Sequence, residues 1–186
     1  MRANDVNGQD RCEFLHGAAV AAAGFGLAGS RSAAHAASNG PVRTRIQNVG
    51  LMSPGDMGQA VAMQIKAKGL NVFTALGQRS ERTRALASEA GLIDVGTIAR
   101  LVDECDVVLS IMNPGAALDF AREVAEVMHA RSRPTLFVDC NAIAPVTVHE
   151  IAGLVQQAGG RFLDAGIIGP PPRGKMKTNF FLGWQS

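Results

Sequence analysis

From Thr44 onward, apolar runs alternate with segments of mixed polarity, and the period of the pattern changes from one run to the next. "RIQNVGLM" is a short β-type run ending at Met52. The segment after it sets Met57, Ala60, Val61, Ile65 and Lys68 at the spacing of one helical face. Gly69 is placed to stop that helix, because glycine enters the left-handed conformation without a Cβ clash. "NVFTAL" predicts a second strand, and "SERTRALASEAG" a polar helix closed by Gly91. "TIARLVDEC" predicts a short helix with Thr97 as its cap. "DVVLSIM" (106–112) has almost no polar face and reads as a strand buried on both sides. "AALDFAREVAEVMHA" predicts an amphipathic helix that turns Leu118, Ala121, Val124, Ala125 and Met128 inward. "TLFVDC" reads as another strand, and "PVTVHEIAGLVQQAG" as a helix beginning at Pro145, whose fixed φ suits a first helical position. "RFLDAGII" and "NFFLGW" complete the series.

Strands that alternate with helices, and are apolar on both faces, predict an α/β domain. The expected form is a Rossmann-like, doubly wound, mainly parallel sheet with helices on both faces, spanning 44–183. A length of 186 residues agrees with one such domain.

The first forty residues break the pattern. "FLHGAAVAAAGFGLAG" is an apolar, Ala/Gly-rich run from Phe14 to Gly29, followed by Arg31, Ser32 and "AAHAA", a small-x-small arrangement suited to signal peptidase. Residues 1–40 therefore read as a leader resembling a degenerate twin-arginine signal peptide, with "HAASNGPVRT" as linker. In "RCEFLHG", Arg11 is present and Cys12 takes the place of the second arginine, while Asp5, Asp10 and Glu13 cancel much of the positive charge that export needs. Two outcomes stay open: a cytoplasmic protein with an inert leader, which these acids favour, or export to the periplasm. The apolar run is too short and glycine-rich for a stable membrane span.

Composition narrows the function. A net charge of +2 gives no bulk electrostatic case for nucleic acid or an anionic membrane surface. One tryptophan and no tyrosine leave little to stack on bases. The cysteines are Cys12, Cys105 and Cys140; without a CxxC they argue against a disulfide framework or a zinc site, and no metal is expected. Cys105 and Cys140 adjoin apolar runs and read as small core residues.

Positive chemistry begins at Ser53-Pro54-Gly55-Asp56-Met57-Gly58. Strand, turn and helix all surround this SxGxxG, which is the context a dinucleotide-binding turn requires. Gly55 would let a pyrophosphate approach the backbone, and Gly58 would let the helix pack on the strand. The helix start offers free N–H groups and a positive dipole end. Ser53 stands in the first glycine place, and a plain βα turn is the competing reading. The end of the second strand reads Thr74-Ala75-Leu76-Gly77-Gln78-Arg79-Ser80, without the acid that would hold NAD ribose hydroxyls. Arg79 and Ser80 offer donors to a 2′-phosphate, and Arg82 and Arg84 add charge, so NADP is expected over NAD. The competing reading is a solvated helix start.

With these residues the chain resembles the β-hydroxyacid dehydrogenase superfamily, which includes 3-hydroxyisobutyrate and 6-phosphogluconate dehydrogenases. It looks closest to a divergent branch known only as NAD(P)-dependent oxidoreductases. The resemblance runs from about Arg45 to Gly183. The family turn is GxGxMG; Gly55, Met57 and Gly58 match it and Ser53 departs. In "SIMNPGAAL" the resemblance places Asn113 and Pro114 along the nicotinamide-side ribose. The family substrate loop runs Asp, a variable residue, Ser, Thr, and ends in Pro. Here it is "DCNAIAP", with Asp139 and Pro145 kept and Asn141 and Ala142 in the Ser and Thr places. The motif Asp-Ala-Pro-Val-Ser-Gly-Gly becomes "DAGIIGPPP", keeping Asp164, Ala165 and Gly169. The resemblance thus implies substrate contacts from Asn141, Ala142 and Gly169, and a small hydroxyacid-type substrate.

The implied reaction is hydride transfer between the nicotinamide and a substrate carbinol carbon, with proton transfer by a protein group. The family carries that group as a lysine in a Lys-x-x-Asn setting on the long helix after the nucleotide domain. Ser186 comes before such a helix, so a truncated chain without its C-terminal helical catalytic domain is expected, and no catalytic residue is assigned. Lys175 and Lys177 lack the asparagine three positions on and fall in the loop before the last strand. His16 and His35 are in the leader, and His129 and His149 near helix surfaces, with no triad for any of them. The expected role is the NADP-binding domain of an oxidoreductase. Alternatives are a non-catalytic cofactor-binding fragment and half of a split enzyme completed by a second chain. The expected partners are a nicotinamide dinucleotide, a small-molecule substrate, and a homodimer mate or complementing C-terminal domain.

Overall fold

The structure, a computed structural model, describes residues 45–77 and 79–183. The chain divides into two units, Met1–Ile46 and Gln47–Ser186. The leader, linker and cleavage pattern expected from the sequence lie outside the described residues. The second unit runs β1 (Asn48–Met52), α1 (Asp56–Ala67), β2 (Asn71–Thr74), α2 (Glu81–Glu89), β3 (Ile93–Asp94), α3 (Ile98–Glu104), β4 (Val107–Ser110), α4 (Ala117–Arg131), β5 (Leu136–Asp139), α5 (Pro145–Gln157), β6 (Arg161–Ile168) and β7 (Asn179–Gly183).

The strands form one sheet in the order β3-β2-β1-β4-β5-β6-β7. All neighbours are parallel except β7, which runs antiparallel to β6. Val49 pairs with Val72 on one side and with Val107 on the other. The winding proceeds outward from β1 to β3, then returns across β1 to β4. The βα loops on either side of β1–β4 therefore diverge, and a crevice opens at the carboxyl ends of these strands.

The apolar periodicity becomes a core at the centre of the sheet. Leu51, Val108 and Phe137 are fully buried, as are Leu101 of α3, Val124 and Met128 of α4, and Ile151 and Val155 of α5. Phe137 packs between Phe120 and Phe162, at ring-centroid distances of 5.7 and 6.4 Å. Helices α3, α4 and α5 supply this cluster; α1 packs on α2 and β2 apart from it. Cys105 and Cys140 are buried, as expected, and burial pushes both thiols up to about 12, out of the range of reactive cysteines.

Local signals account for most boundaries. Thr97 caps α3 by accepting from the Arg100 N–H at 3.3 Å, and Ser80 caps α2 by accepting from the Thr83 N–H at 3.3 Å. Gly69 and Gly91 end their helices at φ of +82° and +64°. Pro145 opens α5.

Three expectations are corrected. First, β3 has no counterpart in the sequence reading, because its two residues are both exposed and carry no apolar alternation. Second, of the α1 stripe Met57, Ala60, Val61, Ile65 and Lys68, only Ala60 and Val61 are buried; Met57 and Ile65 are half-buried and Lys68 is exposed. Gly58, Gln59 and Ala62 join Ala60 and Val61 inside, because small residues in the first turns allow the helix to lie close against β1. Third, in α4 Leu118 is only half-buried, while Ala117 and Phe120 join Ala121, Val124, Ala125 and Met128 inside.

Candidate functional site

The carboxyl ends of β1, β2 and β4, with the starts of α1, α3 and α4, enclose a cleft of about 1100 Å³. Ser53, Gly55, Asp56, Met57, Gly58, Arg79 and Asn113 all line it. Residues at least 20 positions apart thus meet where the winding reverses. Pro54, Ser80 and Pro114 are neighbours of lining residues without lining the cleft themselves, and Asn141, Ala142 and Gly169 lie outside its wall.

At the start of α1, Gly55 is the N-cap and no side chain caps the helix. The first-turn N–H groups have no intrahelical acceptor by construction. A Cβ added to Gly55 would meet nothing within 4 Å, so the backbone is open to a ligand there. At Gly58 a Cβ would overlap the Ser53 carbonyl oxygen, so only glycine lets helix and strand approach this closely. The turn is held by its own backbone: the Gly55 N–H donates to the Ser53 carbonyl at 2.7 Å, and the Ser53 N–H donates to Ile111 at 2.9 Å. Asp56 would oppose an anion here, but Arg173 donates to its carboxylate at 2.6 Å and to Gln59 Oε1 at 2.8 Å.

Across the cleft, Arg79 Nη2 donates to the Ser53 hydroxyl at 2.6 Å. Arg84 folds back beneath it, donating to the carbonyls of Arg79 and Gly77, each at 3.2 Å. The Ser80 oxygen is engaged in the α2 cap and lies 3.0 Å from the Thr83 hydroxyl. Asp94 stands near this end of the sheet, but one of its carboxylate oxygens accepts the Leu76 and Gly96 N–H groups at 3.0 and 2.8 Å.

On the far side, Asn113 caps a 3-10 turn over Pro114–Ala116 by accepting the Gly115 N–H at 3.0 Å. Behind it, Asn141 is buried. Its amide nitrogen donates to Ser110 Oγ at 2.8 Å and to Asp139 Oδ1 at 2.7 Å, and its oxygen accepts the Met112 N–H at 2.7 Å. Both amide hydrogens are thereby engaged, and neither is left for a substrate. Burial raises the Asp139 carboxyl above its ordinary value, while hydrogen bonds from Asn141 and Ser110 and the Asp164 charge act as smaller influences. Ala142 is exposed, and Gly169 adopts φ +130° beside the Lys177 carbonyl. Lys175, Lys177, His129 and His149 are exposed and away from the cleft.

The sequence reading missed the wall formed by Gly96, Thr97 and Ile98 and by Asp119, Phe120 and Glu123 of α4. One signal was available: a glycine directly before a capped helix. Gly96 has φ +79° and its carbonyl accepts the Gly77 N–H at 2.9 Å, which brings the β3–α3 turn against the end of β2. Among the described residues no helix is long and apolar enough to cross a membrane.

A family model described as the NAD binding domain of 6-phosphogluconate dehydrogenase matches residues 48–183. An "Uncharacterized 28.5 kDa protein in 7S RNA 5'region" of Methanothermus fervidus is 28% identical over 121 residues, covering 65% of this chain and 45% of that protein. A solved protein of unknown function, reported as structurally similar to 3-hydroxyacid dehydrogenases, superposes with a TM-score of 0.63 at 30% identity, covering 73% of this chain and 49% of that one. The 3-hydroxyisobutyrate dehydrogenase of Mycobacterium tuberculosis, solved with L-serine, gives a TM-score of 0.64 at 22% identity, covering 75% and 47%. The latter likeness speaks for the fold alone. The chain spans about half the length of these proteins.

Proposed function

The chain belongs to the family of the NAD binding domain of 6-phosphogluconate dehydrogenase, and from that footing we propose that it binds NADP in preference to NAD, within an oxidoreductase that acts on a small hydroxyacid-type substrate. The observation that carries the preference is Arg79: a guanidinium stands at the cleft rim, after a second strand that ends without an acid. A guanidinium fork suits a phosphate dianion, while an acid in that place would repel one.

The cleft fits such a cofactor in shape and polarity. The open backbone at Gly55 and the uncapped start of α1 suit a pyrophosphate. Ser53, Pro54, Asp56, Met57 and Gly58 complete that turn, and Arg79 with Ser80 takes the 2′-phosphate. Asn113 and Pro114 hold the nicotinamide-side ribose. The bound dinucleotide supplies the hydride chemistry. This chain's part is to bind, orient and keep water out, with Met52, Ile111 and Met112 as the apolar side of the wall. On the substrate side, Ala142 and Gly169 are in reach of a ligand, and Asn141 contributes by fixing the loop. The proton-transfer group belongs to a second domain, as a continuation of the chain or as a separate chain. The apolar, exposed side chains of β7, Phe180, Phe181 and Leu182, are suited to contact with such a domain.

Titration of the folded protein with NADPH and NADH tests the reading. NADPH should bind more tightly, and Arg79→Ala should remove the difference at a cost of about 1–3 kcal/mol, the scale of a hydrogen bond to a charged group. Equal affinity for the two cofactors would overturn it.

A further inference from the structure

Building on the NADP reading, we propose that Ser53 is a positioning residue that sets cofactor preference by holding the Arg79 guanidinium at the cleft rim before a cofactor arrives. Ser53 stands where the dinucleotide turn has its first glycine, and a glycine has no side chain to do this. The hydroxyl issues from a fixed point, because the Ser53 N–H is bound to Ile111 and its carbonyl to the Gly55 N–H. From there its oxygen accepts Arg79 Nη2 at 2.6 Å. The other end of Arg79 is fixed too. Its N–H donates to the Leu76 carbonyl at 3.1 Å, and Arg84 grips its carbonyl and that of Gly77. A long side chain is thus anchored at its backbone and at its tip.

The chemistry of the anchor matters. A guanidinium has five N–H donors, and the bond to Ser53 uses one. The rest of the fork remains for a phosphate. A hydroxyl orients the cation without neutralising it, whereas a carboxylate would compete with the ligand. No carboxylate pairs with Arg79 among the described residues. Without Ser53, the ligand itself would have to order the arginine, and that entropy would be lost on binding. The penalty would fall on NADPH alone, because NADH has no 2′-phosphate to order it for.

Dissociation constants for NADPH and NADH should be measured for the wild type, Ser53→Ala, Ser53→Gly, Arg79→Ala and the Ser53→Ala/Arg79→Ala double variant. Thermal unfolding would verify that each is folded. Ser53→Ala and Ser53→Gly should lower the preference for NADPH over NADH about three- to tenfold, the scale of ordering one long side chain, whatever the turn contributes to both cofactors alike. The double variant should show the same preference as Arg79→Ala, because the serine sets preference only through the arginine. An unchanged preference in Ser53→Ala beside an effective Arg79→Ala, or a further change of preference on top of Arg79→Ala, would overturn the proposal. An Arg79→Ala variant that keeps the wild-type preference would instead overturn the NADP reading itself. If Ser53→Gly loosens the turn and fails to fold, Ser53→Ala alone decides.

Discussion

The side-chain oxygen of Asn141 accepts the Met112 N–H at 2.7 Å, and this bond ties the loop after β5 to the loop after β4. The same amide reaches Ser110 and Asp139, so one buried side chain fixes two loops at the edge of the cleft. Asn141→Ala should lower stability by about 2–4 kcal/mol, since each buried polar group left unpaired costs about 1–3 kcal/mol. Urea unfolding would measure it. An unchanged midpoint would mean that water or a loop shift replaces the whole network.

Asp139 makes stability depend on pH. Burial raises its folded pKa above the unfolded value near 3.9. As pH rises past the unfolded value, the unfolded chain releases this proton while the folded protein keeps it. Stability then falls with rising pH until the folded pKa is passed, and is flat above. Asp139→Asn should remove this falling limb. The difference in unfolding free energy, wild type minus variant, should drop across that window and level off; a difference that stays constant or climbs would refute the assignment.

The two turn glycines should fail differently. Gly58→Ala forces a methyl group onto the Ser53 carbonyl and should lower the melting temperature together with cofactor affinity. Gly55 has open space at its Cβ and an extended φ of −76°, which any residue adopts. Gly55→Val should therefore fold normally and lose cofactor binding, because the side chain fills the approach to the helix start. Calorimetric melting with parallel NADPH titration separates the two, and full affinity in folded Gly55→Val would show that nothing approaches there.

Ser80 serves the fold whatever it does for a ligand. Ser80→Ala removes the α2 cap and should cost about 0.5–2 kcal/mol of stability. Its effect on NADPH should be smaller than that of Arg79→Ala, because a guanidinium fork carries charge and a hydroxyl does not. A Ser80→Ala variant with wild-type stability would mean that the cap bond is replaced by solvent.

By itself the sequence determined the α/β class, nearly every element, and the turn that marks the cleft. These are local properties: apolar period reports which face is buried, glycine and proline report where helices stop and start, and SxGxxG reads as a site because its strand and helix flank it directly. Where the local signal is weak the reading lapsed, as at the two exposed residues of β3 and the small-residue face of α1. Tertiary structure alone decided the side-chain partnerships. Ser53 reaches Arg79, Asn141 reaches Met112, and the Gly96 turn closes one wall only because the sheet runs β3-β2-β1-β4-β5, with Ser110 in register beside Asp139. A motif match names residue types at each place. Whether Asn141 has an amide hydrogen left for a substrate depends on what the next strand places beside it, and hydrogen-bond capacity is used up by neighbours in space, not by neighbours in sequence.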